Sequence, residues 1–432
     1  MRNHRYSILA LGAMLVMPAI AFAQLPITVQ HIRPTDARGV NVFEPPKEDT
    51  TQFKGTTLSF GAAFRQDFQG IGHYNSAAPK MVNGVDQNQL IAIGHGFNNA
   101  VANGYINAQL AQGVRVSMTS YLSARHHNET WVKDGYILID DSPIDHPLLK
   151  SVMSHMTVKV GQFENNYGDG HFRRTDNGLA IYNPFVGNYI MDAFTTEVGG
   201  EVYVHDDWWL TMVGVTNGEV KGMVLSPDKR SPAFYEKAGV DLKLDPSVRV
   251  RLTASAWEQK SSASQTLYGG DRGGSPYYDV LENTLSTETG NAWSGEIRNP
   301  FTSKLYGLIV NPFVKVEGLE LFGQFERATG SNGLAETTGD RTWNQQVYEG
   351  LYRFAKDQLY VGGRYNAASG TLQGITGDLD VNRYQLGGGW FVTPNMLMKA
   401  EWVNQKYTGF PTTDIRSGGR FKGFMIEGAV AF

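Results

Sequence analysis

The residues best equipped for chemistry lie together between positions 164 and 193. Asp169, His171, Arg173, Arg174 and Asp176 stand among Gly168, Gly170 and Gly178, and an aromatic tail of Tyr182, Phe185 and Tyr189 follows. At a narrow, water-filled neck, opposed charges of this kind would set up an electric field and sort solutes by charge. On an open surface they would only be solvated. Catalytic patterns are missing: the chain has no Gly-x-Ser-x-Gly, His-Glu-x-x-His or Gly-x-x-x-x-Gly-Lys. It also has no Cys, which removes thiol nucleophiles, thiolate metal sites and disulfides. His126-His127 with Asp140-Asp141, and the Asp-rich stretch 269–279, are the places a metal would sit. Adjacent identical residues in a polar link are ordinarily solvated, so no metal, no cofactor and no enzymatic activity are expected.

The elements that position these charges follow from composition and phase. The 432 residues include 49 Gly, 22 Phe, 20 Tyr and 8 Trp, with 38 basic against 42 acidic side chains. Abundant aromatics exclude a disordered chain. A mean hydropathy of −0.30, with no long apolar run past the N-terminus, excludes a helical membrane bundle. Near-neutral charge without a basic tract leaves no footprint for nucleic acid. Arg2 and Arg5, an apolar core from Ile8 to Ile20 and the small-x-small triplet Ala21-Phe22-Ala23 predict a signal peptide over residues 1–23, cleaved after Ala23. A Cys-free exported chain points to a bacterial source. Residues 24–56 contain Pro26, Pro34, Pro45 and Pro46 and have no strand period, so they read as an extended periplasmic or plug-like N-terminal segment.

From Thr57 to Phe432 the period is two. Leu58, Phe60, Ala62 and Phe64 alternate with Ser59, Gly61 and Arg65, and Val248, Val250 and Leu252 alternate with Arg249, Arg251 and Thr253. Sixteen strands are predicted: 57–68, 100–111, 114–125, 131–140, 154–163, 194–204, 208–216, 234–244, 248–258, 304–316, 319–327, 346–354, 358–366, 380–392, 396–406 and 421–432. Short turns such as Gln112-Gly113, Asp245-Pro246-Ser247 and Glu317-Gly318 follow even-numbered strands, whereas long polar loops follow odd ones, the 126–130 link excepted. That asymmetry, with strands of about 9–12 residues, predicts an all-β fold: a transmembrane antiparallel barrel of about 16 strands, with short periplasmic turns and long extracellular loops. Trp208-Trp209, Trp390-Phe391 and Tyr407 would mark the bilayer interfaces.

In such a barrel the apolar phase faces lipid, where an Arg or Lys costs about 2–4 kcal/mol, so the polar phase must line the lumen. The predicted lumen wall includes Arg115, Lys159, Arg249, Arg251, Arg364 and Arg383, with Asp67, Glu201, Asp241, Glu320, Glu349 and Glu401 among the facing acids. Two outcomes are open for these charges. The cations give the wall a basic field, or pairs such as Asp241 with Arg249 or Arg251 neutralise one another.

The last strand, with Phe424, Ile426, Val430 and terminal Phe432 on one face, resembles the closing strand of bacterial outer-membrane barrels, which the assembly machinery reads as a signal. The region from Thr57 onward resembles a sixteen-stranded outer-membrane porin. Val158-Lys159-Val160-Gly161-Gln162-Phe163 is similar to a strand motif of the phosphate-selective porin O and P superfamily, although Glu164-Asn165-Asn166-Tyr167-Gly168-Asp169-Gly170 departs from the residues that usually follow it, and phosphate selectivity is not carried over. The resemblance implies a passive channel for small hydrophilic solutes or ions in the bacterial outer membrane, set in lipid and lipopolysaccharide and assembled as a homotrimer. It further implies that loop 164–193 folds inward as the constriction. The competing expectation is a hydrophobic-substrate transporter with residues 24–56 as a hatch, resembling the fatty-acid channel family. The charged lumen phase and the lack of an Asn-Pro-Ala signature speak against it.

Overall fold

Strict alternation gives each stretch two unlike faces, and such a strand is stable only in a sheet that separates two unlike environments. The structure, a computed structural model, describes residues 27–49, 51–123, 130–218, 230–262, 264–298, 301–332 and 339–432. The predicted signal peptide and the His126-His127 pair lie outside the described residues. Sixteen long strands are present among the described residues. The first eight are β1 (Thr57–Tyr74), β2 (Val101–Ala111), β3 (Val114–Ser123), β4 (Thr130–Ile139), β5 (Met156–Glu164), β6 (Thr196–His205), β7 (Trp209–Thr216) and β8 (Ala233–Asp245). The second eight are β9 (Val248–Gln259), β10 (Lys304–Val316), β11 (Leu319–Ser331), β12 (Arg341–Phe354), β13 (Leu359–Gly370), β14 (Leu379–Thr393), β15 (Met396–Thr408) and β16 (Arg420–Ala431).

Each strand pairs antiparallel with its successor. Phe64 of β1 lies opposite both Ala102 of β2 and Val430 of β16, and this double pairing closes the sheet into a barrel with no free edge. At the closure, the Phe432 amide donates to the Ala62 carbonyl and the Ala62 amide donates to the Phe432 carbonyl, each at 2.9 Å. Several strands outrun their predicted ends. β11 continues from Arg327 to Ser331 because Ala328, Thr329 and Gly330 go on pairing with β12 after the apolar alternation has stopped. The link from β4 to β5 is the departure from the short-turn pattern, since it holds a helix, α1 (Pro147–Met153).

The faces are inverted relative to a soluble barrel. Leu58, Phe60, Val213, Phe234, Leu308 and Leu386 point outward and are exposed, while Arg383 is 1% exposed and Glu320 and Glu427 are fully buried inside. An apolar belt of this extent needs lipid around it, because water would drive such molecules together. Phe424, Ile426, Val430 and Phe432 all lie on the outer face of β16 and its end. Trp208 and Trp390 are exposed at strand ends as expected, but Phe391 and Tyr407 turn inward, and Tyr407 packs on Phe410. Alternation forces this: the neighbour of an outward Trp390 must face the lumen.

The loop polarity has a direct check. Asp245, at the tip of the β8–β9 turn, and Leu285, 55% exposed in the segment 264–298, stand at opposite ends. In this Cys-free chain, Leu285→Cys is expected to react with an impermeant maleimide on whole cells and Asp245→Cys to react only after lysis. Asp271 would be a poor reporter, because it is buried against Arg174. Equal labelling of the two positions would remove the topology.

Candidate functional site

The wall supplies rows of long cationic and acidic side chains at alternate positions, and burial obliges each to find a partner. Loop 164–193 supplies many of those partners. It runs across the lumen, and the wall grips it from β8 to β15. Arg251 and Lys237 hold Asp169 at 2.8 and 2.6 Å. Arg364 donates to the Gly187 carbonyl at 2.8 Å and Arg383 to that of Asn188 at 2.5 Å. Lys399 donates to the carbonyls of Ala180, Asn183 and Phe185. Glu401 accepts from the Val186 amide at 2.8 Å. Loop carbonyls cap the wall cations and wall carboxylates cap the loop amides, so irregular backbone is satisfied inside the barrel. Gly178 permits the close approach, since a Cβ there would meet the backbone of Ala102 and Ala63.

All five predicted loop residues lie inside, with occupied partners. Arg173 pairs with Glu349 at 2.5 Å, and Arg174 pairs with Asp192 at 2.5 Å and Asp271 at 3.4 Å. Both arginines are only 2% exposed and lie buried against these carboxylates. Asp176 accepts from Lys133 and Tyr121, and His171 sits between Asn166 and Glu164. The aromatic tail is held in place, with Phe185 and Tyr189 against the Arg364 guanidinium and Tyr182 bonded to the Pro34 carbonyl of the N-terminal segment.

The six predicted wall cations also face inward, and of the two outcomes open for their charges, pairing prevails. Arg249 and Arg251 share Asp241 at 2.6 and 3.0 Å, Arg115 holds Asp140 at 2.7 Å, Lys159 holds Glu201 at 3.1 Å and Arg364 holds Glu349 at 2.8 Å. Arg383 bonds to Gln405 and to the Asn188 and Gly295 carbonyls.

Residues 27–49 bring a second layer of contacts that sequence reasoning missed. Phe43, 1% exposed, meets Phe313 and Phe172 edge-on, and Glu44 pairs with Arg251 at 2.6 Å and Lys237 at 2.8 Å. Asn41 donates to Glu320 at 2.6 Å. Isolated polar residues in a Pro-rich stretch carry no periodicity that would have placed them. Lys133 was missed for a different reason. The β3–β4 register slips so that Thr119 faces Asp134 and Ser120 faces Val132, a bulge that turns Lys133 and Asp134 inward together. Two adjacent charges inside a strand were the available signal. Lys133 then bridges Glu164 and Asp176 at 2.6 and 2.8 Å.

Loop, N-terminal segment and the wall of β2–β6 leave a cavity of about 300 Å³ between them, bordered by Arg33, Glu44, Arg115, Lys133, Lys159 and Asp176. It shares His31, Ile32 and Pro45 with a cleft of about 850 Å³ at the mouth of the segment.

From the far side, segment 264–298 folds onto loop 164–193. Tyr277 donates to Glu401 at 2.5 Å, and Ile297 donates to the Ile190 carbonyl at 2.8 Å. Glu296 on this segment has an Oε2 that is buried without a hydrogen-bond donor. Burial, then the nearby Asp192, push its carboxyl up to about 8. Because the folded value is raised, its contribution is fully present below about pH 4.5 and is lost as pH rises through about 8. Once the intrinsic base-catalysed rise of exchange with pH is divided out, the protection factors of 264–298 are therefore expected to fall from pH 5 to pH 9, and Glu296→Gln to flatten that trend. A variant with the full wild-type trend would rule Glu296 out as its source.

The sequence matches no protein-family model and no curated protein. Solved structures do resemble it. An anion-selective porin from Comamonas acidovorans superposes with a TM-score of 0.51 at 9% identity, covering 87% of this chain and 100% of that one. The outer-membrane channel DcaP of Acinetobacter baumannii gives 0.51 at 11% identity, covering 88% and 99%. The trimer form of the Vibrio cholerae outer-membrane protein OmpT gives 0.50 at 10% identity, covering 88% and 100%. With its sixteen paired strands, apolar exterior and charged interior, the chain has the fold of the outer-membrane porins.

Proposed function

We propose that the protein is an outer-membrane porin, a water-filled channel for passive diffusion of small hydrophilic solutes or ions, narrowed by loop 164–193. The observation that carries this reading is the charged, hydrogen-bonded lumen inside an apolar exterior, crossed by a loop that leaves a cavity of about 300 Å³. Polar, charged walls of this kind favour hydrated ions over apolar bodies. Residues 27–49 lie where a hatch would lie, but the ion-paired lining around them does not suit a hydrophobic cargo. Export through a cleaved signal peptide, insertion by the barrel-assembly machinery through Phe424, Ile426, Val430 and Phe432, and assembly as a homotrimer belong to the same reading. Purified protein in planar bilayers is expected to give stepwise KCl conductance with a reversal potential set by the salt gradient. Absence of conductance together with saturable uptake of a fatty acid would favour the hatch transporter.

A further inference from the structure

The cations around the 300 Å³ cavity are almost all neutralised at contact distance. Arg115 has Asp140, Lys133 has Glu164 and Asp176, Lys159 has Glu201, and Arg174 has Asp192. Arg33 is the exception among the described residues, because no carboxylate stands in ion-pair contact with its guanidinium. Backbone oxygens hold it in place. Nε and Nη2 donate to the Gly39 carbonyl at 3.0 and 2.8 Å, and Nη2 also donates to that of Phe172 at 3.0 Å. Tyr182 covers one guanidinium face, with its ring centroid 3.6 Å away. The two N–H bonds of Nη1 have no partner, and Arg33 borders the cavity. A guanidinium with two nitrogens anchored and one left free is a fixed, always-charged donor that has already lost its conformational freedom.

We propose that Arg33 is an anion-binding residue for the solutes of this channel, which receives the carboxylate of a small monoanionic, ring-bearing molecule at Nη1. The proposal rests on the channel reading above. Three features select the class. The anion approaches in the guanidinium plane, where the free N–H bonds of Nη1 point, because Tyr182 covers one face. The body of the solute then lies among Tyr105, Tyr136 and Tyr203, which border the same cavity and suit a flat ring. Arg33 is the one cation of the described lining without a carboxylate partner, so one negative charge on the solute is balanced and a second is not. The site comes from the segment before the barrel, so it would open or close with that segment and not with the wall.

The test is calorimetry on the purified full-length mature protein in detergent, with benzoate as probe. Saturable binding with a Kd on the order of 1 mM is expected. Arg33→Gln should weaken it about tenfold, worth about 1.4 kcal/mol. Arg33→Lys should fall between, since it keeps the charge and loses the planar fork. Arg38→Gln, whose parent side chain pairs with Asp36 outside this cavity, should bind as the wild type does. Unchanged affinity in Arg33→Gln, or equal binding of benzyl alcohol, would overturn the proposal. So would inorganic phosphate binding more tightly than benzoate, which would assign the site to a different oxyanion. Calorimetry needs no conduction, so a non-conducting barrel that binds benzoate through Arg33 would sink the channel reading and leave the binding site standing. A conducting one without benzoate binding would do the reverse.

Discussion

Deleting residues 27–49 while keeping the export signal is expected to raise single-channel conductance roughly threefold or more. The segment separates the 300 Å³ cavity from the 850 Å³ cleft, and both have His31, Ile32 and Pro45 in their walls. Its removal merges the two into one aqueous path and takes Phe43 out from between Phe313 and Phe172. Selectivity should move as well. Lys237 and Arg251 lose Glu44 and keep Asp169, while Asp241 remains on Arg251, so the wall gains uncompensated positive charge and the reversal potential should shift toward anions. Heat-modifiable mobility on gels would show that the barrel still closes, as it should, because the closing ladder of β1 with β16 begins beyond the deletion. An intact barrel with unchanged conductance would place the ion path somewhere other than along this segment.

The paired substitution Arg173→Ala with Arg174→Ala is expected to open the channel and make it prefer cations. Each guanidinium neutralises an acid that has little other relief. Without Arg174, Asp192 is left with the Asn188 amide, and without Arg173, Glu349 keeps only Arg364. Breaking one side of a buried pair costs about 3–5 kcal/mol. The loop should therefore loosen from the wall between β11 and β12, conductance for larger solutes should rise, and the newly bare carboxylates should draw cations. The reversal-potential shift should shrink in molar salt, where the screening length falls to about 3 Å. Arg173→Lys with Arg174→Lys should keep most of the wild-type selectivity, because charge is retained. A double alanine variant that conducts and selects as the wild type would remove loop 164–193 from the ion path.

The sequence by itself determined the barrel and the inward phase of the charges, and its sixteen predicted strands match the sixteen long strands found among the described residues. A strand across a membrane has one face in lipid and one in water, and its period of two is written residue by residue: Arg249 and Arg251 could only face inward beside Val250 and Leu252. Strand ends were less legible, as in β11, because backbone pairing continues without any apolar pattern. What only the tertiary structure decided is the state of the charges. Composition shows Arg173 and Arg174 as cations. The fold places Glu349 from β12 and Asp192 from the loop's far end against them, at sequence separations no local pattern encodes. The same holds for Glu44, which reaches Arg251 across more than two hundred residues, and for Lys133, whose inward turn depends on a slipped register with the neighbouring strand. Phase is a local property of the chain. Pairing inside a closed lumen depends on which distant segments the closure brings within a few ångströms.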